Sequence, residues 1–241
     1  MHTIVLATQK GGSGKSTLAI GLARAAIDAG HTVRLIETDQ QGTLSNWQAR
    51  RNYAEPRVDP VYAAGDIAAR LERLAEEGVT LAIVDTAGGV GAATSVAIRA
   101  ADLCLIPARP SVVDIEATAV TLAEVRRAAK PFAFVLNQTP IRGQRVTGAA
   151  TALGEGTLDI PDAVAQPFIV MRNDHQDALS AGLAVSEFAP SGKSTEEIRG
   201  LWSWIETRLG LAASIVPADV SELPVAAIPS VQPSAEAFDF A

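Results

Sequence analysis

Residues 2–17 read HTIVLATQKGGSGKST, and the way this stretch folds decides the architecture. The apolar run Thr3–Ala7, with β-branched Thr3, Ile4 and Val5 in succession, predicts a buried strand. It gives way to Gln9-Lys-Gly-Gly-Ser-Gly14, which punctuates the chain, and Lys15 onward reads as a helix. A glycine-rich turn between a buried strand and a helix presents successive backbone N–H groups to an anion, and the helix N-terminus adds its partial positive charge. Gly11, Gly12 and Gly14 let the backbone approach phosphates with no Cβ in the way, and Ser13 and Thr17 complete the cradle. Lys15 is spaced to reach β- and γ-phosphates, and the Ser16 hydroxyl to bind Mg²⁺. The strict pattern GxxxxGK[ST] is not met, because Gln9 occupies its first glycine position and a second lysine, Lys10, follows.

Working outward, apolar strand-like runs recur at Thr3–Ala7, Thr32–Glu37, Leu81–Asp85, Leu103–Pro107 and Phe132–Asn137. Helical spacing places helices near Lys15–Ala29, Thr43–Tyr53, Ile67–Glu77, Val112–Ala128 and Thr195–Leu209. Ser111-Val-Val-Asp114 has the form of a capping box with Asp in place of Glu. This alternation predicts an α/β protein, a mainly parallel sheet flanked by helices on both faces. Ligands of such sheets collect at the carboxyl ends of the strands. Each motif considered below falls at one of those ends.

Composition narrows the function classes. A chain of 241 residues, 48% hydrophobic and 20% charged, is long enough for one large α/β domain. Its net charge of −7 argues against a broadly basic surface, leaving room only for a local basic patch. The single cysteine, Cys104, excludes a disulfide framework and a Cys-rich metal site. No apolar stretch approaches the ~20 residues that cross a bilayer, and no signal-type segment opens the chain, so a cytoplasmic protein is expected. After Leu211 four prolines interrupt a stretch holding Asp219, Glu222, Glu236 and Asp239 and no Lys or Arg. We therefore divide the chain into a domain over 1–211 and a disordered acidic tail over 212–241. Without the tail's four acids the net charge falls to −3.

The segment Lys10-Gly-Gly-Ser-Gly-Lys-Ser-Thr17 resembles the deviant Walker A motif of the ParA/MinD family of ATPases, P-loop NTPases in fold. The resemblance extends over about residues 2–209. It implies ATP and Mg²⁺ as cofactors, with Lys15 serving the chain's own nucleotide. It also implies that Lys10 reaches across a nucleotide-sandwich dimer to the phosphates of a second copy. Charge developing on a transferred phosphoryl group calls for such an extra cation in trans.

Three more segments carry the likeness. LIETDQQGTLSNW, residues 35–47, is similar to a family motif usually written D-x-D-P-Q. By that resemblance Asp39 positions the attacking water and contributes at the metal, Glu37 stands where the first Asp is usual, and Gln40 replaces the proline. LAIVDTAGG, residues 81–89, reads as a Walker B strand whose Asp85 can hold Mg²⁺ directly or through water; the paired glycines after it, with Ala87 where the family commonly has a proline, read either as a switch that senses a γ-phosphate or as a tight turn. FVLNQTP, residues 134–140, ends a strand in Asn137, which the resemblance assigns to the adenine edge and which read unaided is a turn residue. Asp114 reads as a first-turn helix acid, with a role across the dimer as the other reading.

Within the family, a membrane-binding member is disfavoured because the chain finishes Ala-Phe-Asp-Phe-Ala241 with no cation for anionic lipid. A cluster-bearing iron protein needs more than one cysteine. What is left resembles the short ParA class, which forms a homodimer with ATP and binds nonspecific DNA on the nucleoid. A cargo-bound ParB-like or adaptor protein stimulates its hydrolysis. Arg142, Arg145 and Arg172, with Lys193 and Arg199, are the candidate phosphate contacts; the other reading of these residues is a solvated charged face. His175 stands where the family often has another arginine, and carries charge only in part near neutral pH. A reading from a different class is a nucleotide-gated scaffold that recruits a protein without meaningful DNA binding. Of two tryptophans on the last helix, Trp202 is expected in the core and Trp204 toward a partner.

Overall fold

The computed structural model of the protein describes residues 1–160 and 162–211. The acidic stretch 212–241, read above as a disordered tail, lies outside the described residues. The elements run β1 (His2–Leu6), α1 (Lys15–Asp28), β2 (Val33–Glu37), α2 (Thr43–Ala49), β3 (Arg57–Pro60), α3 (Ala64–Glu76), β4 (Leu81–Asp85) and α4 (Ala92–Ala100). They continue β5 (Leu103–Ala108), α5 (Val112–Arg127), β6 (Phe132–Leu136), α6 (Gln144–Glu155), α7 (Asn173–Ser180), α8 (Val185–Phe188) and α9 (Lys193–Leu209). All strand pairs are parallel, in the order β3-β2-β4-β1-β5-β6. The expected parallel α/β fold is what forms.

The period of the strand sequences explains why both faces are covered. Ile4, Leu6, Leu81, Ile83, Leu103, Leu105 and Val135 point into one core with α1, α2, α8 and α9. Their neighbours Val5, Ala7, Ala82, Val84, Cys104, Ile106 and Phe134 point into the other, against α3, α4, α5 and α6. Strands apolar on both sides cannot face water, so each parallel crossover lays a helix on one side or the other. β1 is the pivot. Its helix α1 packs on the first face while α4 and α5, which follow its neighbours β4 and β5, pack on the second. The chain therefore diverges at the carboxyl end of β1, which opens the crevice where the glycine loop sits.

Several elements differ from the sequence expectation. α2 stops at Ala49 rather than Tyr53, because Arg51 leaves the helix register for tertiary partners. Its guanidinium, with no exposed side-chain surface, pairs with Glu187 at 2.6 Å, donates to the Glu55 and Gly182 carbonyls and lies 4.9 Å over the Trp47 ring. The short edge strand β3 and the helices α4, α6, α7 and α8 were not anticipated. Trp202 is buried as expected, whereas Trp204 is half-buried against the core, with Arg208 5.7 Å over its ring. Among the described residues no helix is long and apolar enough to cross a membrane.

Candidate functional site

The loop from Thr8 to Gly14 leaves β1 and turns into α1 through Gly14, which holds a left-handed backbone at φ 87° and serves as N-cap without a capping side chain. The first-turn N–H groups of α1 are thus open to a ligand. They face a cleft of about 450 Å³ bounded by the loop glycines, Lys15, Ser16, Asp39, Thr43 and Thr86. Lys15 is 8% exposed. Burial lowers its ammonium pKa, and the charges of Asp85 and Asp39 pull the other way. The cleft therefore holds a cation flanked by two acids.

Asp85 closes β4 at 1% exposure. Burial pushes its carboxyl up to about 7, against a hydrogen bond from Ser16 and the Lys15 charge; Glu37 and Asp39 push it further up. Its Oδ1 has no hydrogen-bond partner. A buried carboxylate oxygen without a donor, beside a serine hydroxyl, is a donor set of the hard, oxygen type that suits Mg²⁺. Among the described residues no three His, Cys, Asp or Glu side chains form a metal cage by themselves. Mg²⁺ commonly takes only one or two carboxylates and completes its shell with phosphates and water, so Asp85 and Asp39 with the Ser16 hydroxyl fit it.

Asp39 is half-buried on the loop between β2 and α2, where its Oδ1 accepts the Gln41 N–H at 3.0 Å. The opposite wall is the segment after β4. Thr86 donates its hydroxyl to the Leu6 carbonyl at 2.8 Å, the Gly89 N–H reaches the Thr8 carbonyl at 3.1 Å, and Gly88 lies against the Gly11 backbone. Asp39, Asp85 and the Thr86–Gly89 turn, distant in sequence, thus meet around the loop. Lys10 does not line this cleft. It is half-buried, and its charge acts on Asp114. Burial raises the Asp114 pKa, but bonds from Ser111 and Arg109 and the charges of Arg109 and Lys10 outweigh it, and the net shift is downward. Ser111 Oγ accepts the Asp114 N–H at 3.3 Å, so Asp114 is the first-turn acid of α5.

A second, smaller cleft of about 120 Å³ shares Gly14 and Thr17 with the first and runs between Asn137, Gln138 and the segment from Ile169 to Gln176. Asn137 has a task the sequence did not indicate. Its Nδ2 donates to the Ser13 carbonyl at 2.8 Å, and its Oδ1 accepts the Gln138 N–H at 2.9 Å. The amide therefore holds the phosphate loop from below, with one N–H and one lone pair left for a ligand. Gln138 adds a second amide strut, Nε2 to the Gly12 carbonyl at 2.9 Å, from a left-handed backbone at φ 52°. Sequence reading missed Gln138; the only signal was its place directly after Asn137.

The basic candidates sit on more than one element. Arg142 and Arg145 are exposed at the start of α6, Lys193 and Arg199 are exposed on α9, and Arg199 donates to the Pro190 carbonyl at 3.2 Å. Arg172, also a candidate phosphate contact, pairs through one guanidinium nitrogen with Glu197 at 2.6 Å, while its Nε has no hydrogen-bond partner. His175 is half-buried beside it, and burial lowers its pKa, so it carries even less charge near neutrality than expected.

Residues 1–152 match the family model described as VirC1 protein. Protein ParA of Rhizobium radiobacter is 28% identical over 172 residues, which cover 66% of this chain and 76% of that protein. Among solved structures, MinD of Pyrococcus horikoshii OT3 complexed with Mg-ADP superposes with a TM-score of 0.71 at 15% identity, covering 89% of this chain and 99% of that one. An ATP complex of Cyanothece McdA gives 0.69 at 18% identity, covering 88% and 97%. The two structural likenesses are of fold, and the sequence matches carry the kinship: the chain belongs to the VirC1 protein family, within the ParA/MinD group of partitioning ATPases.

Proposed function

We propose that this chain is a Mg²⁺-dependent ATPase switch that dimerises around ATP and partitions or positions a cargo by nucleotide-regulated, nonspecific DNA binding. In this reading a cargo-borne ParB-like or adaptor protein stimulates slow hydrolysis, which releases the chain from DNA on the nucleoid. The observation that carries the proposal is the division of labour between the two loop lysines. Lys15 is buried in the chain's own cleft between Asp85 and Asp39, while Lys10 lies outside that cleft and toward Asp114. A cation on the phosphate loop that lies outside its own cleft supports a role for Lys10 toward the phosphates of a second copy.

The residues then divide the chemistry as follows. The N–H groups of Gly11–Thr17 and the Lys15 ammonium bind and orient the phosphates. Ser16, Asp85 and Asp39 would hold Mg²⁺, which would supply neutralisation of the negative charge of the phosphates. Asp39 orients water from the α2 side, and the Thr86–Gly89 turn senses the terminal phosphate through its anchors on β1. Asn137 fixes the loop and offers its remaining donor and acceptor to the base.

Purified protein is titrated against nonspecific duplex DNA at low and moderate salt with ATP and with ADP, using Asp39→Ala to hold the ATP state. Salt-sensitive binding with ATP alone is expected. Binding in neither state, with ATP-dependent dimerisation intact, replaces this reading by the protein-recruiting scaffold. That second reading draws on the outer side of α5, where Val112, Val113 and Val120 are 73%, 58% and 53% exposed.

A further inference from the structure

α2 begins without any local device to satisfy its N-terminus. Its N-cap, Gly42, has no side chain, and no acid stands in the first turn. The donors are met instead by Glu37, seven residues upstream at the end of β2 and fully buried. Its Oε1 accepts the Leu44 N–H at 2.6 Å, the Ser45 N–H is shared between Oε1 and Oε2 at 3.4 and 3.3 Å, and the Ser45 hydroxyl donates to Oε2. A carboxylate there also complements the helix dipole. Glu37 lies directly across from Asp85 in the β2–β4 register, yet these bonds turn it to the helix.

The consequence falls on the loop in between. At its start, Thr38 is fixed to β4 by its N–H and hydroxyl, 3.0 and 3.2 Å from the Asp85 carbonyl. At its end, Glu37 clamps Leu44 and Ser45. Asp39 rides on this short loop, which lacks the rigidity a proline would bring at position 40. α2 is itself anchored, with Leu44 and Trp47 fully buried and the Trp47 Nε1 donating to the Leu183 carbonyl at 3.1 Å. The placement of Asp39 over the phosphate cleft is thus set by a strand-to-helix bracket.

Building on the reading of Asp39 as the carboxylate that orients water, we propose that Glu37 is a positioning residue for Asp39, acting by capping α2 rather than by touching nucleotide or metal. Gln in its place is nearly isosteric but keeps one acceptor oxygen where the carboxylate has two, so it cannot accept from both Leu44 and the Ser45 hydroxyl, and it carries no negative charge for the helix N-terminus. Misplacement of a reacting group by about 1 Å costs on the order of 100-fold in rate. Glu37→Gln is therefore expected to lower the ATPase kcat by roughly 10- to 100-fold with ATP affinity within about twofold of wild type.

The test pairs that kcat-against-affinity split with amide hydrogen exchange on nucleotide-free protein. In Glu37→Gln, exchange at Leu44 and Ser45 is expected to quicken at least about tenfold while β1 and β4 keep their protection. Lost kcat with unchanged protection at Leu44 and Ser45 would place Glu37 on the nucleotide or metal and overturn the proposal; so would lost protection with unchanged kcat. Should Glu37→Gln fail to fold, Ser45→Ala removes part of the same cap and is expected to move both readouts in the same direction by less. Unchanged values in Ser45→Ala would equally overturn it. If the wild-type protein shows no ATPase activity, the function proposed above fails, while the exchange measurement still reports on the cap.

Discussion

Replacing Gly14 by alanine separates two costs that the structure assigns to one residue. Gly14 sits at φ +87°, and a Cβ built there would meet Asn137 Nδ2 at 2.3 Å. Holding an L-residue in left-handed backbone costs about 1–2 kcal/mol. The contact adds to this, because Asn137 must leave the Ser13 carbonyl it holds at 2.8 Å, and abandoning a buried hydrogen-bonding group costs about 1–3 kcal/mol. Gly14→Ala is therefore expected to destabilise by roughly 2–5 kcal/mol. Gly12 provides the control: it also has positive φ, +74°, but nothing lies within 4 Å of a Cβ built there. Gly12→Ala should cost only the backbone share, about 1–2 kcal/mol. With Asn137→Ala as background the obstruction is gone, so Gly14→Ala should become about as mild as Gly12→Ala, a coupling of about 1–3 kcal/mol. Urea unfolding with unchanged m-values measures wild type, the three single variants and the double variant. Equal costs for the two glycine variants, or no relief from Asn137→Ala, would refute the strut between Asn137 and the loop.

Lys15→Ala should weaken ATP binding by about two orders of magnitude, as loss of a buried charge-assisted contact predicts; calorimetric titration reading within threefold of wild type would remove Lys15 from the phosphates. Lys10→Ala should leave ATP binding by the monomer within about twofold while ATP-dependent dimerisation, followed by light scattering, is lost or hydrolysis falls; a variant that dimerises and hydrolyses normally would end the role in trans. Glu187 ties α8 to Arg51. Burial raises its pKa, but the hydrogen bonds from Arg51 and the Ala184 N–H and the charges of Arg51 and Arg24 outweigh it, so the folded value lies below the ordinary 4.5. The depressed value means that its contribution to stability is present above about pH 4.5 and is lost as pH falls through the folded pKa. Denaturant unfolding of wild type and Glu187→Gln should then converge below pH 4.5; a constant difference from pH 7 to pH 3 would show that the carboxylate's charge is not what binds Arg51.

Much was legible along the chain because its signals are local. Five strands were recognised from uninterrupted apolar runs, and five helices from their spacing. The edge strand β3 and the helices α4, α6, α7 and α8 left too little pattern: β3 is four residues ending in Pro60, and α6 carries Gly148 and Gly154. The length of α2 was misjudged because Arg51 is drawn away by residues more than 100 positions later, which no helical propensity registers.

By itself the sequence determined the parallel sheet, the phosphate loop at the end of β1 and its pair of lysines, because strand period, glycine spacing and charge identity act over a few neighbouring residues. Tertiary structure alone decided the strand order and what the polar side chains at the strand ends do. Asn137 turns to the Ser13 carbonyl 124 residues away, Arg172 pairs with Glu197, Lys10 lies outside the cleft that Lys15 lines, and Glu37 caps a helix although Asp85 stands across from it on the next strand. A buried polar group must find a partner wherever the fold brings one within about 3 Å. Which partner that is depends on packing between distant segments, and no local pattern encodes it.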